Sequence, residues 1–119
     1  MVIYAHSSEP VRQQLDAALA DRKAELAAVH SRARAILRDG YEVKKSLAVG
    51  GVTNISVPVF DYLGHIVAAL TVPYVPQRAA TVSLDSVRVM AVEAGRRIST
   101  DLGAGSRATA PEPSKRRKA

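Results

Sequence analysis

The chain has 119 residues, 47% of them hydrophobic, no cysteine and a formal net charge of +6, which suits one small packed domain and is too short for two full ones. The lack of cysteine excludes disulfides, thiolate metal ligands and a cysteine nucleophile. No apolar run reaches the roughly 18 residues of a membrane span, and the apolar start is too short for a signal peptide. We therefore expect a soluble, cytoplasmic protein with no membrane partner.

The chain begins with a short apolar run, residues 2–5, which favours a strand. Ser7 or Ser8 is placed to cap a first helix, with Pro10 in its first turn. The apolar residues that follow recur at helical spacing. The pattern predicts a strand followed by a helix.

A second helix is predicted over about residues 22–38, and Gly40 is placed to end it. One face of this helix is apolar and the other is basic. A basic face is typical of a solvated helix surface, and a nucleic-acid contact is the alternative.

The middle of the chain predicts antiparallel strands. Residues 41–46 alternate in polarity, and residues 52–60 and 66–72 are two β-branched runs joined by a turn, which is typical of a hairpin. In the first run the side with Ile55 and Val57 is expected in the core. Pro58 cannot donate a ladder hydrogen bond and so indicates an edge, a bulge or a strand end. The second run is nearly all apolar and is predicted to be covered on both faces.

A last helix is predicted over about residues 84–102, with Ser83 as its cap and Gly103 as its stop. Its apolar residues at three- and four-residue spacing are expected to face the core: Leu84, Val87, Ala91, Ala94, Ile98 and Leu102. Four strands and separate helices predict an α+β domain, an antiparallel sheet flanked by helices, over residues 1–102.

Residues 103–119 hold five basic residues, one acidic residue and no large apolar side chain. This composition predicts a disordered basic tail. An accessory contact with DNA phosphates is the alternative.

No pattern of catalytic or cofactor-binding residues is present. His6, His30 and His65 are dispersed and lack the spacing of a metal pair. Nucleophile elbows, dinucleotide-binding glycine motifs and Walker-type loops are absent from the sequence. We expect no enzyme activity, no cofactor and no metal.

Polar residues interrupt the apolar strands at Asn54, Ser56 and Thr71. A buried amide or hydroxyl is unfavourable unless it is hydrogen-bonded, so each is either satisfied internally or binds a ligand. Lys44 on the neighbouring strand adds a cation. Lys44, Asn54 and Thr71 are therefore candidates for the wall of a pocket for a small anionic molecule.

Several segments together resemble the effector-binding domain of IclR-type transcriptional regulators: Gly40-Tyr41, Gly51-Val52, residues 55–61, Gly64 and residues 67–70. The resemblance covers about residues 40–102. It implies a partial GAF-like fold that binds a small organic acid or aromatic metabolite. The family's ligand positions fall on Lys44, Val52, Asn54, Thr71 and Pro73. In the family, an acidic residue is common at the position of Lys44, and serine or glycine is common at the position of Pro73. The polarity of the ligand is therefore expected to differ from that of the ligands of better-known members.

The function implied by the resemblance is effector sensing. The alternative is a dimerisation fragment with a vestigial pocket. The family's winged helix-turn-helix and the first part of its effector domain would precede Met1, so no sequence-specific DNA binding is expected from this chain alone. An incomplete sheet has an unpaired edge, and we therefore expect a homo-oligomer.

Overall fold

The computed structural model describes residues 1–77 and 82–104. Within these ranges the helices are α1 (Val2–His6), α2 (Glu9–Ala17), α3 (Lys23–Asp39) and α4 (Leu84–Asp101), and the strands are β1 (Glu42–Lys45), β2 (Thr53–Phe60) and β3 (Ile66–Tyr74). The strands form one antiparallel sheet in the order β1-β2-β3. The predicted α+β class is confirmed.

The first element is a helix, and the predicted N-terminal strand is wrong. Val2 and Ala5 lie three residues apart, the spacing of one helix face, and are 2% and 1% exposed. They pack against Ala33 and Ile36 of α3. A run of four apolar residues fits a strand or a helix equally well, and this contact with α3 decides between them.

The next two helices are found close to the predicted positions. Ser8 is the N-cap of α2 and a proline stands in its first turn. Gly40 ends α3 with a left-handed φ of 84°, a conformation that glycine adopts without steric strain. Two arginines of the basic face of α3 form ion pairs with carboxylates, Arg32 with Glu42 and Arg38 with Asp39. Arg22, the N-cap residue of α3, forms an ion pair with Glu25.

The predicted inward face of β2 is confirmed. Ile55, Val57 and Val59 are 0%, 1% and 4% exposed, and Ile55 and Val57 pack with Ala91 of α4. Pro58 lies two residues beyond Ser56, the last residue of β2 that pairs with β1, and next to a register shift at Val59/Phe60. The proline therefore stands where β2 has no neighbour on the β1 side.

The prediction that the second run is covered on both faces holds only for its middle, where Leu70 and Val72 pack with the α4 cluster and Ala69 packs with the α1–α3 cluster. This run is β3, which pairs with β2 alone and forms an edge of the three-stranded sheet. Val67 is 52% exposed and Ala68 is also exposed. An apolar composition does not distinguish a central strand from an edge strand that the helices cover only in part.

The last helix has the predicted boundaries and a different buried face. The Ser83 hydroxyl accepts a hydrogen bond from the N–H of Ser86. Ala91 and Ser99 are buried together with Gly95, whereas Ile98 and Leu102 are 40% and 47% exposed. The predicted core positions of Ile98 and Leu102 are wrong. The face of α4 that lies against the sheet is the one with the small residues, which allow its backbone to come close to the sheet, and the two larger residues point away from it.

None of the described helices is long and apolar enough to cross a membrane. Gly103 and Ala104 belong to the described part of the chain, and Ala104 is 5% exposed. Residues 105–119, to which the predicted tail extends, lie outside the described residues. The disordered tail stays a prediction.

Candidate functional site

Different helices pack against the two faces of the sheet. One face carries Ile55 and Val57 and is packed by α4. On the other face, Ala69 packs with the cluster that joins α1 to α3. Because successive residues of a strand point to opposite faces, the residues of β2 that face α1 are the even-numbered ones. The polar residues Asn54 and Ser56 therefore lie on the face of α1 and α3.

Strand register brings the polar side chains of this face together. Lys44 pairs directly with Asn54, and Glu42 with Ser56. On the opposite edge, Ser56 pairs with Thr71. Directly opposed residues project on the same face of a sheet, with Cβ atoms about 5 Å apart. The three strands thus form one continuous polar surface.

This surface is the floor of a hollow of about 460 Å³. Its lining residues come from the N-terminus before α1, from α3, from all three strands and from the loop after β1: Met1, Arg32, Glu42, Lys44, Lys45, Ser46, Leu47, Ala48, Asn54, Ser56 and Thr71. The hollow is within the size range of sites for small molecules.

Four of these polar groups are satisfied within the protein. Arg32 binds Glu42 through two hydrogen bonds, Nε to Oε2 at 2.8 Å and Nη2 to Oε1 at 3.0 Å. The hydroxyls of Ser56 and Thr71 lie 3.0 Å apart and share one hydrogen bond. The carboxylate of the hollow is thereby neutralised, and the hydroxyl pair keeps free acceptor capacity.

Lys44 and Asn54 are polar residues of the hollow whose side chains have hydrogen-bonding capacity to spare. Across the described ranges, neither the ammonium of Lys44 nor the amide of Asn54 has a side-chain hydrogen bond or an ion pair. Both are half-buried and directly opposite each other. A cation next to an amide, with a hydroxyl pair on the adjoining strand, is suited to bind a carboxylate.

The predicted site residues divide into two groups. Lys44, Asn54 and Thr71 meet in the hollow. Val52 precedes β2, where its carbonyl accepts a hydrogen bond from Ser46 N–H, and Pro73 pairs with Asn54 on β3. Neither of these two lines the hollow.

Sequence reasoning missed Arg32 and Glu42 as a pair. The polarity of Glu42 is visible in the alternation of β1, but its partner comes from a helix ten residues away. No local pattern indicates this contact, because it depends on how α3 crosses the sheet.

A larger hollow, of about 680 Å³, lies between α4, the β2–β3 turn and the end of α3, and includes Asp39, Val57 and Arg96 in its wall. Its Asp39 carboxylate binds Arg38, which lowers the pKa of that carboxyl group, and its Arg96 binds Glu93 at 2.6 Å. The charged groups of this wall are therefore already paired, and the smaller hollow has the more suitable chemistry for an anion.

Among the described residues, no group of three or more His, Cys, Asp or Glu side chains is placed to hold a metal ion. The polar groups of the hollow are a lysine, an arginine, an amide and hydroxyls, with one paired carboxylate. This set recognises an organic anion better than a cation.

Comparison with known proteins identifies one family. The family described as bacterial transcriptional regulator IclR C-terminal matches residues 6–100. The crystal structure of HmgR from Pseudomonas aeruginosa is similar, with a TM-score of 0.55 and 26% sequence identity over 86% of this chain and 42% of that chain. The chain thus spans about two fifths of the HmgR chain. No curated protein matches.

Proposed function

The chain belongs to the IclR C-terminal family of bacterial transcriptional regulators, and we propose that it senses a small organic acid through the hollow on the α1 and α3 face of the sheet. The family consists of regulators and not of enzymes. The observation that supports the proposal most strongly is that Lys44 and Asn54 lie directly opposite each other on β1 and β2. In the described part of the protein, neither side chain has a hydrogen bond or an ion pair.

The proposed ligand has a carboxylate and an apolar body. The carboxylate binds the ammonium of Lys44 and the amide of Asn54, and Thr71 donates or accepts at the far wall. Met1, Leu47 and Ala48 line the rim and provide apolar surface for an aliphatic or aromatic body. Val52 and Pro73, the other two family ligand positions, flank this set and are proposed to influence its shape without direct contact.

The proposed mechanism is a shift of population between arrangements. The wall of the hollow includes Arg32 of α3 and Met1 before α1, so a bound ligand contacts both the sheet and the helices. A ligand that binds one arrangement of helices and sheet more tightly favours that arrangement.

A panel of aliphatic and aromatic monocarboxylates tests the proposal by thermal shift and titration calorimetry. A ligand at 100 times its dissociation constant stabilises the folded state by about 2.7 kcal/mol. Lys44→Met removes the charge and keeps the apolar stem, so we expect binding to weaken by about tenfold or more, since hydrogen bonds to charged groups contribute about 1.5 to 3 kcal/mol.

Lys23→Met is the matched control. Lys23 is the first residue of α3, is exposed and does not line the hollow. Its loss should leave binding unchanged. If both variants lose affinity equally, or if no acid of the panel binds, the hollow is not the sensor site and the dimerisation fragment becomes the better interpretation.

A further inference from the structure

The charged side chains that line the smaller hollow do not balance one another. Within residues 1–77 and 82–104, the lining includes three cations, Arg32, Lys44 and Lys45, and one carboxylate, that of Glu42. Three cations against one carboxylate leave a surplus of two positive charges. A recessed surface with such a surplus attracts anions, and a ligand with two negative charges would balance it.

The ion pair of Arg32 with Glu42 uses only part of the guanidinium group. A guanidinium has five N–H donors in one plane. Two of them, on Nε and Nη2, donate to the carboxylate at 2.8 and 3.0 Å. In the ranges that the structure describes, the guanidinium makes no other hydrogen bond. The second N–H of Nη2 and both N–H groups of Nη1 are therefore available to a ligand.

Glu42 holds these donors in a defined orientation. The side chain of Glu42 is 17% exposed, whereas that of Arg32 is 37% exposed. The carboxylate is thus the more buried partner, and the guanidinium is the more accessible one. Because two parallel hydrogen bonds fix the plane of a guanidinium, the remaining N–H groups of Arg32 are preorganised, which lowers the entropic cost of binding an anion.

The two cationic groups are anchored two residues apart on one strand. Glu42 and Lys44 both belong to β1, where they pair with Ser56 and Asn54 of β2. Residues two apart on a strand project on the same face, and their Cα atoms are about 6 to 7 Å apart. The guanidinium that Glu42 holds and the ammonium of Lys44 are therefore spaced to bind two carboxylates joined by a short chain.

We propose that the ligand of the hollow is a small dicarboxylate. Lys44 and Asn54 bind one carboxylate, and the free N–H groups of Arg32 bind the other. The hydroxyl of Ser56 lies between these two groups, opposite Glu42 and next in line to Asn54 on the same face. This inference rests on the proposed function, because it names the class of ligand for the same hollow, and it makes Arg32 a residue that determines specificity.

The alternative is that the ion pair only connects α3 to β1. A pair with this structural role would stabilise the fold and would not discriminate between ligands with one and with two carboxylates. The two interpretations therefore differ in ligand preference, which can be measured on the native chain.

Titration calorimetry at neutral pH with matched ligands makes this measurement. Succinate, glutarate and adipate are compared with their monomethyl esters, which keep the same acid skeleton and have one charge fewer. A second charge-assisted interaction should make the best diacid bind about tenfold more tightly than its ester, or better. Equal affinity of every diacid and its ester would overturn the dicarboxylate and leave the sensing of a monocarboxylate intact. If no ester, diacid or monocarboxylate binds, the proposed function fails as well.

The double variant Arg32→Gln/Glu42→Gln separates specificity from overall charge. It removes one positive and one negative charge, so the surplus in the hollow is unchanged, and two amides can still hydrogen-bond across the same contact. We expect the diacid to lose its advantage and to bind like its ester, while the affinity for the ester stays near the native value. A double variant that keeps the full preference for the diacid would overturn the role of Arg32.

Arg22→Gln/Glu25→Gln is the matched control. This ion pair lies at the start of the same helix, and neither residue lines the hollow. The control should keep the native preference for the diacid. A loss of preference equal to that of the double variant in the hollow would show that the effect is not local and would overturn the proposal.

Glu42→Gln should give a change of the opposite sign. It removes the carboxylate that competes with the ligand for Arg32 and keeps an amide oxygen for the same donors, so affinity should rise more for the diacid than for its ester. A fall in diacid affinity, or an equal change for both ligands, would contradict the proposal. The comparison of ligands on the native chain needs no variant, so the proposal stays testable even if a variant is unstable.

Discussion

At Gly95, α4 and the sheet are so close that no side chain fits between them. A Cβ atom there would lie 2.7 Å from Cγ2 of Val57 and 3.2 Å from the carbonyl oxygen of Pro58. Real Cβ atoms do not approach other atoms at the first distance, and the second neighbour is backbone that cannot rotate away. The absent side chain therefore determines the distance between α4 and β2.

Gly95→Ala should lower the free energy of unfolding by about 1 to 2 kcal/mol. Overpacking costs about 1 to 3 kcal/mol, and a contact of 2.7 Å in a buried site favours the upper part of this range, about 2 to 3 kcal/mol. The better helix propensity of alanine offsets about 1 kcal/mol of it. Gly50→Ala is the control, because nothing lies within 4 Å of a Cβ there. Urea unfolding of both variants measures the difference. Equal stability of Gly95→Ala and the native chain would contradict the close packing of α4.

Asp16 joins three helices through its carboxylate. The Tyr4 hydroxyl donates to Oδ1 at 2.6 Å, and Nε2 of His30 lies 2.8 Å from Oδ2. The hydrogen bonds from Tyr4 and His30 lower the pKa of the Asp16 carboxyl group below its usual 3.8. Burial and the bond to Asp16 raise the pKa of Tyr4 to about 12. The ionised carboxylate is therefore the form that the fold stabilises.

The stability that this carboxylate contributes should depend on pH in one direction. Because the pKa of Asp16 is lower in the folded than in the unfolded state, its contribution is present above pH 3.8 and is lost as the pH falls through the folded value. Asp16→Asn should be less stable than the native chain at pH 7, and the difference should shrink below pH 3.8. Thermal unfolding between pH 2 and 7 measures it. A difference independent of pH would contradict the assignment.

At the scale of elements, β2 extends beyond β1 and needs another partner there. Its Pro58 has no N–H to satisfy on that side. The N–H of Phe60 donates instead to Oγ of Ser99 at 2.9 Å, and Ser99 donates to the carbonyl of Gly95. A side chain of α4 therefore replaces the missing neighbouring strand at this end of β2.

Ser99→Ala should destabilise the protein by about 1 to 3 kcal/mol, since it leaves the N–H of Phe60 without a partner. Thr100→Ala is the matched control. Thr100 bonds a helix carbonyl in the same way but is exposed, so its loss should change stability by less than about 0.5 kcal/mol. Chemical unfolding of both variants provides the comparison, and similar losses would refute a special role for Ser99.

At the scale of the whole molecule, the buried core is unevenly distributed. One cluster joins α1 to α3 through Val2, Ala5, Ala33 and Ile36, and another joins β2 to α4. Helix α2 has no buried residue and is connected to α1 and α3 by the bonds of Asp16. Segments with few buried apolar contacts open with small free energies.

Amide hydrogen exchange should show this distribution. Backbone amides of α2 should exchange much faster than those of β2, whose side chains are the most deeply buried. Asp16→Asn should accelerate exchange in α2 and leave the rates in β2 nearly unchanged. Equal protection of α2 and β2 would show that the whole chain opens as a single unit.

Much of the fold could be predicted from local patterns. Helix periodicity, a cap at Ser83 and the glycine stop at Gly40 gave element boundaries within one or two residues. The candidate site was predicted in part, because Lys44, Asn54 and Thr71 stand out as polar residues on apolar strands. Their common hollow, and the ion pair of Arg32 with Glu42 beside them, required the crossing of helix and sheet.

After residue 7, the amino-acid sequence by itself determined where helices and strands begin and end and which side of β2 is buried, since these depend on the spacing of neighbouring residues. Tertiary structure alone decided that residues 2–5 are helical, that β3 is an exposed edge, and that Ile98 and Leu102 face outward. Spacing indicates which residues share a face. Whether that face is buried depends on which distant element packs against it, and no local pattern contains that information.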